Sequence, residues 1–388
     1  MHYMCISRGT FVKIVIAPDS FKGSLSAKEV SDAIERGIKK VDNKIDVVKI
    51  PMADGGEGTV ESLVDATKGN IIKVKVRDPI FREIEAFYGI LGDKETAIIE
   101  MSAASGLPLL SKEERNPLIT STFGTGELIK HAINMGCKTI ILGLGGSATN
   151  DGGMGMANAL GVRFLNSEAQ ELVLGGGSLG ELETIDLAGM EPKLKEVKFI
   201  AACDVENPLC GEKGASRVFG AQKGASEEVI ELLDKNLLTY GRIVEKTTGV
   251  SVINCKGAGA AGGLGVGVMA FLKAELRSGI DIVIQFTELE KYIKDADLVI
   301  TGEGMIDFQT AFGKTPYGVA VLAKKYDIPV IAIAGGIGKD ANILYEKGFD
   351  SIFSITDKPM SLKEAMDNSP ILLENIAERI MRIWRLFC

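Results

Sequence analysis

Histidine is nearly absent. The 388 residues contain two, His2 and His131. His2 lies in the opening stretch MHYMCISRGTF, and His131 lies in GELIKHAINMG, whose pattern predicts a helix with His131 on its surface. Neither is placed to serve a Ser-His-Asp triad or a His-ligated zinc site, so both chemistries are disfavoured. Chemistry then falls to carboxylates, lysines, hydroxyls and main-chain amides. That inventory suits phosphoryl transfer, where a protein mainly positions groups and stabilises charge.

Paired cysteines are missing too. Cys5, Cys137, Cys203, Cys210, Cys255 and Cys388 are scattered with no C-x-x-C spacing, which points to a reducing cytoplasm rather than a disulfide frame. No apolar run approaches the roughly 20 residues a membrane span needs. Long Lys/Arg runs are lacking and the net charge is -8, so a nucleic-acid partner is not expected. The opening residues 1–11 are too short and mixed for a secretory signal and read as an extension ahead of the first strand, from an upstream start codon.

A chain this long, with 46% hydrophobic residues, suggests two domains. VKIVIA and DVVKIPMA read as buried strands, each followed by a helix, SAKEVSDAIERGIKKV and TVESLVDAT, with Ser24 or Ser26 capping the first. Such β-α-β-α order predicts a parallel sheet. Residues 71–100 alternate between short turns and look antiparallel. Past 296 the α/β rhythm returns, ending in a helix over 370–385 whose Trp384 reads as a packing residue. The expected fold is α/β: a doubly wound, Rossmann-like domain built from 12–68 plus 285–388, with an inserted mixed α/β domain at 69–284.

Open sheets bind ligands at the carboxyl ends of their strands, and the unusual loops here follow strands. PDSFKGS offers Asp19, Ser20 and Lys22; Lys22 could neutralise a phosphate or carboxylate beside a helix N-terminus. MADGGEGT offers Asp54 and Glu57, each of which could also be an ordinary turn or first-turn acid. GLGGSATNDGGMG, at 143–155, has six glycines in thirteen positions. Gly143, Gly145 and Ala148 partly match a dinucleotide fingerprint, but the acid expected about 20 residues on has no candidate at a strand end, Glu168 lying in the polar run NSEAQE. The better use is an anion cradle: Gly145, Gly146, Ser147, Thr149 and Asn150 around phosphoryl oxygens, with Asp151 holding a cation or orienting a hydroxyl. A tight crossover capped by Asn150 or Asp151 is the structural alternative. CDVENPL puts Asp204 after the strand KFIAA, and TGEGMIDFQ offers Glu303 and Asp307 after LVI. Magnesium prefers one or two such carboxylates plus substrate phosphates. GKT at 313–315 ends like a P-loop, but Phe308 stands where glycine is required, and no D-F-G or H-R-D set is present.

Taken together, KIVIAPDSFKGSLSA, PMADGGEGTVE, IEMSAASGLPL, ERNPLITSTFGTGELI, GGSATNDGG, ACDVENPLCGEKGAS, GAGAAGGLG and VITGEGMIDFQT resemble the bacterial glycerate kinases of the type-1 family, from about residue 12 to the last helix. The resemblance implies two α/β domains with an active cleft between them. It also implies Mg2+- and ATP-dependent phosphorylation of (R)-glycerate, giving 2-phosphoglycerate, with 3-phosphoglycerate as the alternative product. Met305 departs from the pattern, which usually has a basic residue after TGEG. On this reading Lys22 meets the glycerate carboxylate or the transferring phosphoryl group, the 145–150 loop cradles ATP, and Asp204, Glu303 or Asp307 holds Mg2+. Asp19, Asp54 or Asp151 orients the attacking hydroxyl. An NAD-dependent oxidoreductase on a similar sheet and a catalytically weakened binding protein are the competing classes. The sequence leaves the oligomeric state open, a homodimer included.

Overall fold

The structure is a computed structural model that describes residues 12–56 and 58–386. The extension with His2 and Cys5, Glu57 and Cys388 lie outside the described residues. Along the chain the strands are β1 (Lys13–Ile16), β2 (Asp46–Lys49), β3 (Asn70–Arg77), β4 (Glu83–Ile90), β5 (Thr96–Glu100), β6 (Thr139–Gly143), β7 (Arg163–Leu165), β8 (Thr184–Asp186), β9 (Lys198–Ala202), β10 (Glu275–Arg277), β11 (Leu298–Ile306), β12 (Val330–Ile337) and β13 (Ser351–Ser354). The chain up to Asp54, together with Ile280 onward, forms one unit, and Gly55–Gly279 forms the other. The sequence reading put these junctions at 68 and 284.

In the first unit five parallel strands run in the order β2-β1-β11-β12-β13. Counted within the unit this is 2-1-3-4-5, the flavodoxin-like version of the doubly wound plan. Ile14 and Ile16 of β1 and Leu298 and Ile300 of β11 form one apolar face with helices Ala27–Val41 and Ser369–Trp384. Trp384 packs at the edge of that cluster. Val15 and Val299 point the other way and are equally buried, as strands of a parallel sheet covered on both faces must be. Helix 27–41 begins in a capping box made by Ser26 and Glu29, so Ser26, not Ser24, is the cap.

One expectation fails in β11. TGEGMID was read as a loop after LVI, but the strand continues through it to Ile306, in register with β12 at Gly302↔Ile333, Glu303↔Ala334 and Met305↔Gly336. Its glycines are there for close approach: a Cβ on Gly302 would lie 1.9 Å from the Ile333 carbonyl oxygen.

The second unit holds a six-stranded sheet in the order β10-β9-β6-β5-β4-β3. Strands β3, β4 and β5 pair antiparallel, as their alternation suggested, and β5, β6, β9 and β10 are parallel. Helix Phe123–Asn134 lays Leu128, Ile129, Ala132 and Ile133 on this sheet. His131 on that helix is half-buried, its Nδ1 3.0 Å from the Tyr88 hydroxyl, rather than free on the surface. Helix Thr59–Thr67 follows β2 in sequence but packs on β4 and β5. Its Val60 N–H bonds the Glu100 carboxylate at 2.9 Å. A second apolar cluster gathers Phe164, Tyr240 and Phe271 beside helices Glu227–Thr248 and Ala260–Leu272. Among the described residues no helix is long and apolar enough to cross a membrane.

Candidate active site

A doubly wound sheet opens a crevice where its strand order reverses, at the carboxyl ends of the strands. In the first unit that point lies between β1 and β11, and the two strands bring Asp19 and Glu303 there. The Asp19 N–H bonds the Gly302 carbonyl at 2.8 Å, which fixes the loop after β1 to β11. Both Asp19 oxygens are oriented: Oδ1 accepts from the Ser20 N–H at 2.6 Å and Oδ2 from the Thr315 hydroxyl at 2.7 Å. Glu303 accepts from the Thr310 hydroxyl at 2.6 Å and from Lys314 Nζ at 3.2 Å. Burial, and then the charge of nearby Asp54, pushes the Asp19 carboxyl up to about 7. Burial also raises Glu303, against the pull of Thr310 and Lys314. Helix Thr315–Lys324 starts at this spot without a side-chain cap, so the positive end of its dipole faces the acids.

Three of the sequence candidates, Asp19, Asp54 and Glu303, are therefore neighbours within one unit. Lys22 is exposed on the turn beside them, and among the described residues it pairs with no carboxylate. The N-terminus of helix 27–41, expected to attract an anion beside it, is occupied by the Glu29 side chain instead. Asp307 is a capping residue: it accepts from the Gln309 N–H at 2.8 Å and forms a capping box with Thr310. Lys314 and Thr315 went unrecognised because GKT was weighed only as the end of a P-loop. Met305 stands half-exposed two residues beyond Glu303, its sulfur near Gly336 and Gly338.

The glycine loop after β6 belongs to the second unit. Only Gly145 and Gly146 are exposed; Ser147, Thr149, Asn150 and Asp151 are buried. The loop is clamped on one side by Leu107 N–H to Gly146 O and Ala148 N–H to Ser105 O, each 2.9 Å. On its other side lies the second glycine-rich run, 257–267. Gly152 N–H bonds Gly262 O at 3.0 Å, and a Cβ on Gly262 would fall 2.0 Å from Thr149 O. Much of the glycine in both runs thus serves a backbone-to-backbone contact. At Gly152, with φ of +64°, a Cβ would meet the Tyr240 ring at 2.5 Å. Gly152→Ala is accordingly expected to lower stability by about 1–3 kcal/mol, measurable by denaturant unfolding.

Asp151, expected to orient a hydroxyl or hold a cation, has no exposed surface. Its Oδ2 accepts from the Thr122 N–H and hydroxyl at 2.8 Å each and from the Gly155 N–H at 3.1 Å, and Oδ1 accepts from the Gly153 N–H. The carboxylate ties residue 122, at the start of helix 123–134, to helix Met154–Ala159, and burial raises its pKa. The N-cap positions themselves are Thr122 and Gly153, so Asp151 holds the two helix starts from outside the cap position. Asp204 is exposed after β9, and its Oδ1 accepts from the Gly279 N–H at 3.0 Å. Among the described residues no group of three or more Asp, Glu, His or Cys side chains is arranged to hold a metal ion.

A residue not singled out from the sequence lies under the loop. Lys223 is 1% exposed, and its Nζ donates to Ser147 Oγ at 2.8 Å and to Thr149 O at 2.7 Å. Nothing in the segment AQKGA marks it; only the tertiary contact does.

A family model described as the glycerate kinase family matches residues 14–385. A Bacillus subtilis glycerate kinase is 52% identical over 95% of this chain and 97% of its own length. An Escherichia coli glycerate 2-kinase is 51% identical over 91% and 93%. A solved structure described as a glycerate kinase 2, from Salmonella typhimurium LT2, superposes with a TM-score of 0.89 at 47% identity, covering 97% of this chain and 99% of that one.

Proposed function

The chain belongs to the glycerate kinase family, and from that premise we propose that it moves the γ-phosphoryl group of ATP onto the 2-hydroxyl of (R)-glycerate, giving 2-phosphoglycerate and ADP. It is a kinase with a small-molecule substrate. The E. coli relative's name, glycerate 2-kinase, supports the choice of hydroxyl.

The observation that carries the reading is the Asp19 carboxyl, oriented at both oxygens and held at about 7 at the switch point. A group of that pKa accepts a proton effectively at neutral pH. A largely dissociative transition state needs little early deprotonation, so Asp19 first orients the attacking hydroxyl and then takes its proton. Lys22, on an exposed turn, supplies positive charge to the glycerate carboxylate or to the transferring phosphoryl group. Gly145 and Gly146 offer main-chain N–H groups to ATP phosphates, with Ser147, Thr149 and Asn150 supporting them from beneath.

Mg2+ fits the acids of the first unit, because burial and the charge of Asp54 raise the Asp19 carboxyl and burial raises Glu303 despite its Lys314 partner. Glu303, with Asp54 near it, would hold the ion, which when bound neutralises phosphate charge. The compartment implied is the cytoplasm, supported by unpaired Cys137, Cys203, Cys210 and Cys255.

Mixing the purified protein with ATP, Mg2+ and D-glycerate tests the reading: ADP release that depends on glycerate is expected. With NAD added, its reduction without ADP release would favour an oxidoreductase instead. Lys22→Ala is expected to lower turnover about 100-fold or more, on the scale of losing one charge-stabilising donor. Wild-type kinetics in that variant would remove Lys22 from the mechanism.

A further inference from the structure

Lysine is almost never fully buried unless it is paired. Lys223 is fully buried, and among the described residues it makes no ion pair within 4 Å. Its known partners are the Ser147 hydroxyl and the Thr149 carbonyl, both inside the glycine loop. Among the described residues the side-chain polar atoms buried without a partner are Thr149 Oγ1 and Asn150 Oδ1, on this loop, and Arg115 Nε. Asn150 Nδ2 bonds Ser216 Oγ, and Arg115 Nη1 reaches Gln222 O, the residue before Lys223. Unsatisfied buried polar atoms are rare in folded proteins, and two of these three belong to the glycine loop.

We propose that Lys223 is a positioning residue for phosphate binding at the arc Gly145–Ser147. This rests on the reading that the arc holds ATP phosphates. An ammonium has donors only, so Ser147 Oγ must accept from Lys223 Nζ. The Ser147 hydroxyl proton is thereby left free to donate to a ligand at the arc. Through Ser147 the lysine adds positive potential to the arc without touching the ligand. Through Thr149 O it fixes the backbone that carries the Gly145 and Gly146 amides.

A further observation agrees. Burial pushes the Lys223 ammonium down to about 7, opposed by the charge of Asp151, so its protonated form is costly to keep in the free protein. An anion at the arc would favour that form. Perturbed groups of this kind concentrate at functional sites.

The test is MgADP binding by calorimetry, with kcat and KM for ATP, on Lys223→Met, Ser147→Ala, the double variant and Gly146→Val. Each of the first two is expected to weaken MgADP binding about tenfold or more. The double variant should fall short of the product of the two single effects, because both single variants disrupt the shared Ser147 route. A lysine serving the fold alone would lower the unfolding midpoint in Lys223→Met and leave Ser147→Ala binding as wild type does; that result overturns the inference. Multiplying effects in the double variant also overturn it. Should Lys223→Met not fold, Lys223→Gln and Ser147→Ala carry the same comparison. Gly146→Val separates the two levels. Lost binding there with unchanged binding in Lys223→Met and Ser147→Ala refutes only the lysine's role. Unchanged binding in Gly146→Val refutes the nucleotide arc and the lysine's role together.

Discussion

Replacing Asp19 by Asn is expected to lower kcat by about 10²–10⁴-fold while leaving the fold intact, the range typical for losing a general base. Asn keeps the size and one acceptor for the Thr315 hydroxyl, so the loop after β1 should hold its place. What disappears is the proton acceptor. In the wild type, kcat/KM should rise with pH through about 7 as Asp19 ionises, and Asp19→Asn should flatten that limb.

Stability should move the other way. The folded-state pKa of Asp19 lies above the value of 3.8 for an unperturbed Asp, so between the two the native state binds more protons than the unfolded chain. The wild type therefore loses stability from this group as pH rises from about 4 to 7. Asn carries no such charge, so the variant should melt higher than wild type above pH 7, and the gap should close toward pH 4. A variant that is active, or no more heat-stable at pH 8, would contradict both halves. Activity and stability pulling against each other at one carboxyl is the usual mark of a site kept for function.

Asp151→Asn should fail differently. Its loss is structural: about 3 kcal/mol of unfolding free energy, because an amide N–H₂ would face the Thr122 and Gly155 donors inside a site closed to water. Denaturant unfolding of the variant reads this directly. A variant of wild-type stability that had lost turnover would return Asp151 to the chemistry and refute its role in holding the two helix starts.

Both predictions concern acids that look alike in the sequence. Asp19 and Asp151 each follow a strand and stand beside small residues, and both were readable as catalytic. What separates them is burial and the direction of the surrounding N–H groups, neither of which is written locally. Strand-end placement did bring Asp19 and Asp54 together, because a parallel sheet places its strand-end loops along one edge whatever their sequence. The same rule misled at TGEGMID, where glycine marks a close strand pairing rather than a turn. The two glycine-dense runs were each noticed, at 143–155 and 257–267, but read singly. Their meaning is mutual, since bare backbone on one side lets bare backbone on the other approach. Helix 59–67 was given to the wrong unit because adjacency in sequence, not its apolar Val60 and Val64 against Gly89, decided its place. Lys223 was not recoverable at all: a lone lysine in a short polar segment reads as solvated until its Nζ is seen under Ser147.

The most direct measurement is phosphorus and proton NMR of the product formed from ATP, Mg2+ and D-glycerate, with ADP counted in parallel. The expected result is one ADP per phosphoglycerate, with the phosphorus coupled to the proton on carbon 2. No ADP above the glycerate-free background, or phosphorus coupled to the carbon 3 protons, would contradict the assignment.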